Sequence, residues 1–336
     1  MISNINNINN INYINFHYNE STRELQRVLK GNVQGIELRD IHLSNADNQY
    51  DISVIITNYN RENTIDKAII SVLENSDESN LEIVIVDDGS NDNSINIISK
   101  YLKLDNISLI ALKKNTGNEA LPKNIGGYFS KGRYLSYLDS DDEIYNKRAY
   151  NESLKIMDNN PNFVMSHTNI IFQIECKPSL LQSGPSWMLS LDDYKPKNEE
   201  DIDSGFIYKI RKTRSYSTYE MMTYGYYDGM KLIRKELWEK IGGTVEWLES
   251  CCDFGLYVKL NRYGNVANVD IDAYKYIIDG NNDSFYSPNK SNRYYEKHRT
   301  FVRNELSYRK ISYEQVIKEA NEEFLNRYKF NLCDLK

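Results

Sequence analysis

An α/β fold, with a mostly parallel sheet covered by helices on both faces, is what this sequence predicts. From Asp51 onward, short β-branched runs alternate with stretches of helical periodicity, and each run ends in a polar loop. Three strand–helix units then precede a fourth strand, an order that right-handed crossovers turn into a parallel sheet. The 336 residues suffice for two domains or one large one. With 40% hydrophobic and 26% charged residues, the chain is neither wholly disordered nor fibrous.

Met1 to Asn15 is an Asn/Ile-biased tail without a helical period, read as partly disordered. Ser21 to Leu29 carries a Ser-x-x-Glu start before Leu25, Val28 and Leu29, the mark of a capped short helix. Ile52 to Thr57 is the first strand, followed by Ile65, Ala68, Ile69, Val72 and Leu73 at helical spacing. Leu81 to Val86 gives the second strand, and Ile95, Ile98, Tyr101 and Leu102 mark its helix. Ile107 to Leu112 is the third strand. Leu121 to Ser130 forms a helix weakened by Gly126 and Gly127, and Tyr134 to Leu138 is the fourth strand. Beyond it the pattern loosens: Phe163 to Phe172 reads as a strand, Lys177 to Gly205 as an acceptor-side loop or lid, Gly229 to Ile233 as a strand and Arg234 to Lys240 as a helix ending at Gly242-Gly243. From Lys297 to Phe330, terminal helices are expected that pack on the domain, meet another subunit or touch a membrane surface.

Loops at the carboxyl ends of parallel strands line the ligand crevice of such sheets. Here they are Thr57 to Glu62, Asp87 to Ser90, Asn115 to Asn118 and Asp139 to Glu143. The last holds Asp139, Asp141, Asp142 and Glu143. Four acids in five residues repel one another unless a cation or proton joins them, and Mg²⁺ or Mn²⁺ is commonly held by one or two carboxylates plus phosphate oxygens. The plain alternative is a solvated acidic turn at a helix start. Asp88 is placed to accept hydrogen bonds from a nucleobase or ribose, while Asp87 suits a turn that caps the next helix. No Gly-x-Gly-x-x-Gly and no Gly-x-x-x-x-Gly-Lys-Ser/Thr is present, so neither a dinucleotide site nor a phosphate-cradling NTPase loop is supported.

Four blocks in order, Ile52 to Asn60, Glu82 to Ser90, Pro122 to Gly126 and Gly132 to Asp142, resemble the amino-terminal half of family 2 glycosyltransferases of the GT-A (Rossmann-like) fold. The likeness is strong over about 50–145 and fades towards about 285. It implies inverting transfer of a sugar from a nucleotide diphosphate sugar, a UDP-sugar first among them, with Mn²⁺ or Mg²⁺ as cofactor. By that resemblance Thr57 and Tyr59 flank the base, Asp88 binds it and Asp139 lies near the ribose. Asp141 binds the metal, and Asp142 is a second ligand or a hydrogen-bond partner. Lys123 stands where relatives carry Arg; the charge is kept and the planar fork is lost, which leaves its base or phosphate contact open. Leu232 to Leu260 is similar to the family segment in which a Gly-Gly turn leads to a Glu-Asp pair whose Asp is the catalytic base. Asp253 matches that Asp, Cys252 replaces the Glu, and Glu249 is in reserve. Read without the resemblance, Asp253 could equally cap its helix.

The implied organisation is an N-terminal extension over 1–48, a nucleotide-sugar half over 49–145, an acceptor half over 146–285 and a helical segment over 286–336. Trp247 and Tyr227 are read as core rather than as sugar platforms, His167 as structural, and Asp279 as a turn residue rather than a metal or diphosphate contact. The net charge of −7 argues against nucleic acid as a partner. Four cysteines without metal or disulfide spacing, and no signal or membrane-spanning stretch, lead to a cytoplasmic expectation with peripheral contact at the inner face of a membrane. The acceptor is expected to be a glycan or lipid-linked saccharide, in synthesis of a cell-surface polysaccharide or glycoconjugate, and a homo-oligomer is allowed. Two other readings compete: a nucleotidyltransferase on a similar sheet, and a non-catalytic sugar-nucleotide or glycan binding module. The first loop, Thr57 to Glu62, lacks the glycines that a triphosphate site usually shows.

Overall fold

A computed structural model describes residues 38–44, 49–75, 79–175, 206–213, 217–223, 229–279 and 288–319. The tail, the Ser21 to Leu29 helix, the whole Lys177 to Gly205 loop and Tyr227 lie outside the described residues.

Ten strands form one sheet among the described residues. They are β1 (Leu38–His42), β2 (Ile52–Asn58), β3 (Leu81–Asp87), β4 (Ile107–Leu112), β5 (Tyr134–Asp139), β6 (Glu143–Ile144), β7 (Phe163–Glu175), β8 (Phe206–Arg211), β9 (Lys231–Arg234) and β10 (Asn265–Ile278). Their order is β1-β4-β3-β2-β5-β9-β7-β10-β6, with β8 beside β7. β4, β3, β2 and β5 run parallel, as the strand–helix alternation requires, and β7 and β10 are again parallel. β1, β6, β8 and β9 pair antiparallel with their neighbours. The four central strands are apolar on both faces, since both faces are covered.

Alternate residues of each strand feed two cores. On one face Ile52, Val54, Ile56, Ile83 and Ile85 meet α1 (Ile65–Glu74), α2 (Ser94–Ser99) and α4 (Ala149–Asn159). On the other, Ile55, Val84, Val86, Leu135 and Tyr137 meet α3 (Ala120–Phe129), α6 (Lys235–Ile241), α7 (Cys252–Leu260) and α8 (Pro288–Arg309). The small helices α5 (Thr218–Thr223) and α9 (Tyr313–Glu319) complete that second layer. Gly126, which weakens α3 by propensity, is what allows it to lie on the sheet: a Cβ there would stand 2.4 Å from Ile55 Cγ2.

The structure departs from the sequence reading in three places. Leu38–His42, within the stretch assigned to the N-terminal extension, joins the sheet against β4. β6, β8 and β10 were not foreseen; β10 mixes apolar with charged residues and has three register shifts against β7, so no clean period marks it. Trp247, expected in the core, is 45% exposed, with its ring 6.1 Å from that of Phe301 on α8.

Candidate active site

The carboxyl ends of β2, β3 and β5 lie side by side. Thr57 pairs with Val86 on one flank and Asp139 on the other, and Asn58 pairs with Asp87. Asp88 and the Asp139–Asp142 turn therefore emerge from the same edge, two strand spacings or about 10 Å apart.

Internal hydrogen bonds set the loops. Asp87 is fully buried and accepts from Asn58 Nδ2 (2.7 Å), Ser90 N (3.0 Å) and Ser90 Oγ (2.6 Å), so it shapes the turn and is not free for a ligand. Asn60, at φ 52°, sends its N–H to Ser90 Oγ (2.9 Å) and accepts from Asn91 N (2.8 Å). These bonds clip the loop after β2 to the loop after β3 and leave Tyr59 exposed between them. The Asp88 carboxylate accepts from Thr116 N (2.9 and 3.1 Å) and Thr116 Oγ1 (2.9 Å). Burial nevertheless pushes its pKa up to about 7.

The acidic turn divides in two. Asp142 faces inward, accepting from the Tyr274 hydroxyl (2.7 Å) and Ile277 N–H (2.9 Å); burial and the charges of Asp141 and Asp139 hold its carboxyl well above the ordinary range. Asp141 is half-buried, 3.1 Å from the Arg61 guanidinium. Burial, only partly offset by Arg61 and reinforced by Asp139 and Asp279, raises it to about 6. Asp139 and Asp279 act on Asp141 through their charge, whereas among the described residues the group whose donor atoms all come within 4.8 Å of one another is Glu119, Cys252 and Asp253.

A second cluster lies between the sheet edge and α7. Lys123 is 2% exposed, and its Nζ is 2.8 Å from Glu119 Oε2, 3.3 Å from Asp253 Oδ1 and 3.6 Å from Asp139 Oδ1. Burial opposes its charge, but those three carboxylates raise its pKa well above the usual lysine value. Burial likewise lifts Asp253, yet the ammoniums of Lys123 and Lys231 outweigh it and hold that carboxyl below its ordinary value. Asp253 sits in the first turn of α7, after the turn Glu246–Cys251 that contains Glu249. Asn124 fixes that approach: its Nδ2 donates to Thr244 O (3.0 Å) and Glu246 Oε1 (3.0 Å), and its Oδ1 accepts from Thr244 N (2.8 Å). Gly243 makes room at φ 73°, where a Cβ would come within 2.5 Å of Asn124 Oδ1.

Thr57, Tyr59, Asp88, Asp139 and Asp141 thus share one edge with Lys123 and Asp253, although Lys123 is enclosed by carboxylates and both oxygens of Asp142 are engaged within the protein. His167 is buried in β7, and Asp279 follows β10 close enough to act on Asp141. Sequence reasoning missed Arg61, Glu119, Lys231 and Tyr274. Only Glu119 had a legible signal, an i,i+4 pair with Lys123.

A family model described as Glycosyl transferase family 2 matches residues 53–242. An uncharacterized glycosyltransferase of Rickettsia felis is 30% identical over 239 residues, 71% of this chain and 35% of that protein. The poly(ribitol-phosphate) beta-N-acetylglucosaminyltransferase TarP of Staphylococcus aureus is 39% identical over 99 residues, 29% of this chain and 30% of TarP. The chain therefore spans about a third of the length of these two curated relatives. Among solved structures, S. aureus TarS 1-349 in complex with UDP-GlcNAc superposes with a TM-score of 0.51 at 19% identity, over 76% of this chain and 66% of that one. Sheet, site edge and matched family agree: the fold is of GT-A type, and the chain belongs to Glycosyl transferase family 2.

Proposed function

We propose that the protein transfers a sugar from a UDP-sugar to an acceptor hydroxyl with inversion at the anomeric carbon, in synthesis of a cell-surface polysaccharide or glycoconjugate. The observation that carries this is the gathering of Asp88, Asp139, Asp141 and Asp253 on one sheet edge. The kinship with TarP and the UDP-GlcNAc held by TarS support the polymer and the donor.

Thr57, Tyr59 and Asp88 take the base in this reading, and Asp139 takes the ribose. Asp141, with Asp139 beside it, holds Mn²⁺ or Mg²⁺, which when bound stabilises negative charge on the departing diphosphate. Asp142 supports Asp141 from behind through its bonds to β10. Asp253 orients the acceptor and removes its proton: the hydroxyl oxygen bonds to the anomeric carbon, its proton passes to the Asp253 carboxylate, and the carbon–oxygen pair leaves with the diphosphate. Residues 49–145 form the donor half and 146–285 the acceptor half.

No helix among the described residues is long and apolar enough to cross a membrane. Peripheral attachment at the inner face of a membrane would bring a lipid-linked acceptor to the site. A thermal-shift panel of nucleotide sugars with and without Mn²⁺, followed by nucleoside diphosphate release, tests the reading. UDP-sugars should stabilise the protein in a Mn²⁺-dependent way. Pyrophosphate release from a nucleoside triphosphate would favour nucleotidyl transfer instead, and binding without turnover a binding module.

A further inference from the structure

The Lys123 ammonium is shared by three carboxylates, and one of them, Glu119, has no part in donor or acceptor binding in the reading above. Glu119 comes from the residue preceding α3, not from the acidic loops. Its Oε2 lies 2.8 Å from Lys123 Nζ, and its Oε1 accepts from the Cys252 thiol at 3.2 Å. The same thiol stands 3.8 Å from Asp253 Oδ1, and donor atoms of Glu119, Cys252 and Asp253 all lie within 4.8 Å of one another. Glu119 and Asp253 are thus two acids on one buried cation, linked by it and by a thiol.

Resting on the reading of Asp253 as the base, we propose that Glu119 is its positioning residue: it draws the Lys123 ammonium away from Asp253, so that Asp253 keeps an electron pair free for the acceptor's proton.

Lys123 alone against Asp253 would make it a firmly ionised and therefore weak base. An ionised Glu119 2.8 Å from the same ammonium offsets that charge and strengthens the base. Burial, with the charges of Asp253 and Asp139 set against the pull of Lys123, raises Glu119 above the ordinary glutamate range, so this offset should switch on as Glu119 loses its proton. The charged or titratable groups facing the pair are Lys123 on α3, Cys252 and Tyr257 on α7, Asp139 and Tyr137 on β5, and Lys231 on β9. Two acids coupled in this way lose their protons in two steps that belong to the pair.

The test uses the full chain with ¹³C-labelled Asp and Glu carboxyls, titrated by NMR from pH 4 to 9 and assigned with Glu119→Gln and Asp253→Asn. In wild type the Asp253 resonance should move again as Glu119 titrates, and Glu119→Gln should abolish that movement. In parallel, UDP release from UDP-GlcNAc at saturating Mn²⁺ should rise through the same step in wild type. In Glu119→Gln it should lack the step, with kcat about tenfold lower at pH 8 and donor KM within about twofold. Glu119→Asp should restore the step. An Asp253 titration indifferent to Glu119, or a kcat lowered equally at every pH in Glu119→Gln, would overturn the proposal while leaving Asp253 as base. If Asp253→Asn released UDP at the wild-type rate, the base assignment would fall and this inference with it.

Discussion

Burial and repulsion at the sheet edge leave Asp88 near 7 and Asp141 near 6, both far from free aspartate. For Asp88 the folded state binds its proton more tightly than the unfolded chain, whose pKa is about 3.9. Its contribution to stability is therefore complete below about pH 4 and is lost as pH rises through 7. Asp88→Asn should flatten the fall of Tm between pH 5 and 8, a difference of about 2–4 kcal/mol by pH 8, while weakening binding of UDP. In the proposed role of Asp141, proton and metal compete for one carboxylate. Mn²⁺ affinity measured by calorimetry should fall about tenfold per pH unit below pH 6 and level off above it, and Asp141→Ala should abolish that dependence together with Mn²⁺-dependent UDP release. Asp142 carries a different expectation. Removing a buried acceptor that satisfies Tyr274 and Ile277 should cost about 2–3 kcal/mol of stability, so Asp142→Ala should lower Tm, and the deficit should persist in saturating Mn²⁺. The sequence showed four acids in five residues. Which faced inward depended on β10, whose irregular pattern announced neither a strand nor its Tyr274 hydroxyl.

At the scale of elements, Asp253 is held by a chain of local contacts: α3 through Asn124 to the Gly243–Thr244 turn, then Glu246 and α7. Asn124 is fully buried, with two of its bonds to Thr244 and the third to the Glu246 carboxylate. Asn124→Ala should therefore cost about 2–4 kcal/mol by chemical denaturation. Transfer should fall more than donor affinity does, because the loosened segment carries Asp253 and not Asp88. The central strands were legible as short, nearly continuous β-branched runs, and their helices by apolar residues recurring with a period of 3.6. α3 was legible despite two glycines, of which Gly126 serves its close approach to the sheet and Gly127 makes room for Trp238 of α6. In the second half β9 was legible as the run Gly229 to Ile233, whereas β8 was not, since it takes its place from pairing with β7 rather than from a pattern of its own.

Taken as a whole, the molecule stacks α8 over α7, the helix that bears Asp253. Phe301, Val302 and Leu306 of α8 are buried in the core that contains Phe254, and His298 lies against Phe254 with ring centroids 4.3 Å apart. Burial, with Arg299 adding to it, depresses His298 to about 4. Here the folded state resists protonation, so the stabilisation is full above about pH 6.5 and is lost as pH falls towards 4. Hydrogen exchange, corrected for intrinsic rates, should show residues 296–309 loosening between pH 6.5 and 4.5, and His298→Phe should suppress the change. The helical character of this segment was legible in its charged and apolar alternation; its docking on α7 was not, because the partner residues are separated by some fifty positions in the chain. The convergence of Asp88, Asp139, Asp141 and Asp253 on one edge likewise belongs to topology, since it places β2 between β3 and β5 and lays α3 across to α7. Anomalous scattering from Mn²⁺ in crystals grown with UDP tests that convergence most directly. The peak should lie within coordination distance of Asp141, with the diphosphate beside it and the base against Asp88. A peak among Glu119, Cys252 and Asp253, or a nucleotide seated away from Asp88, would contradict it.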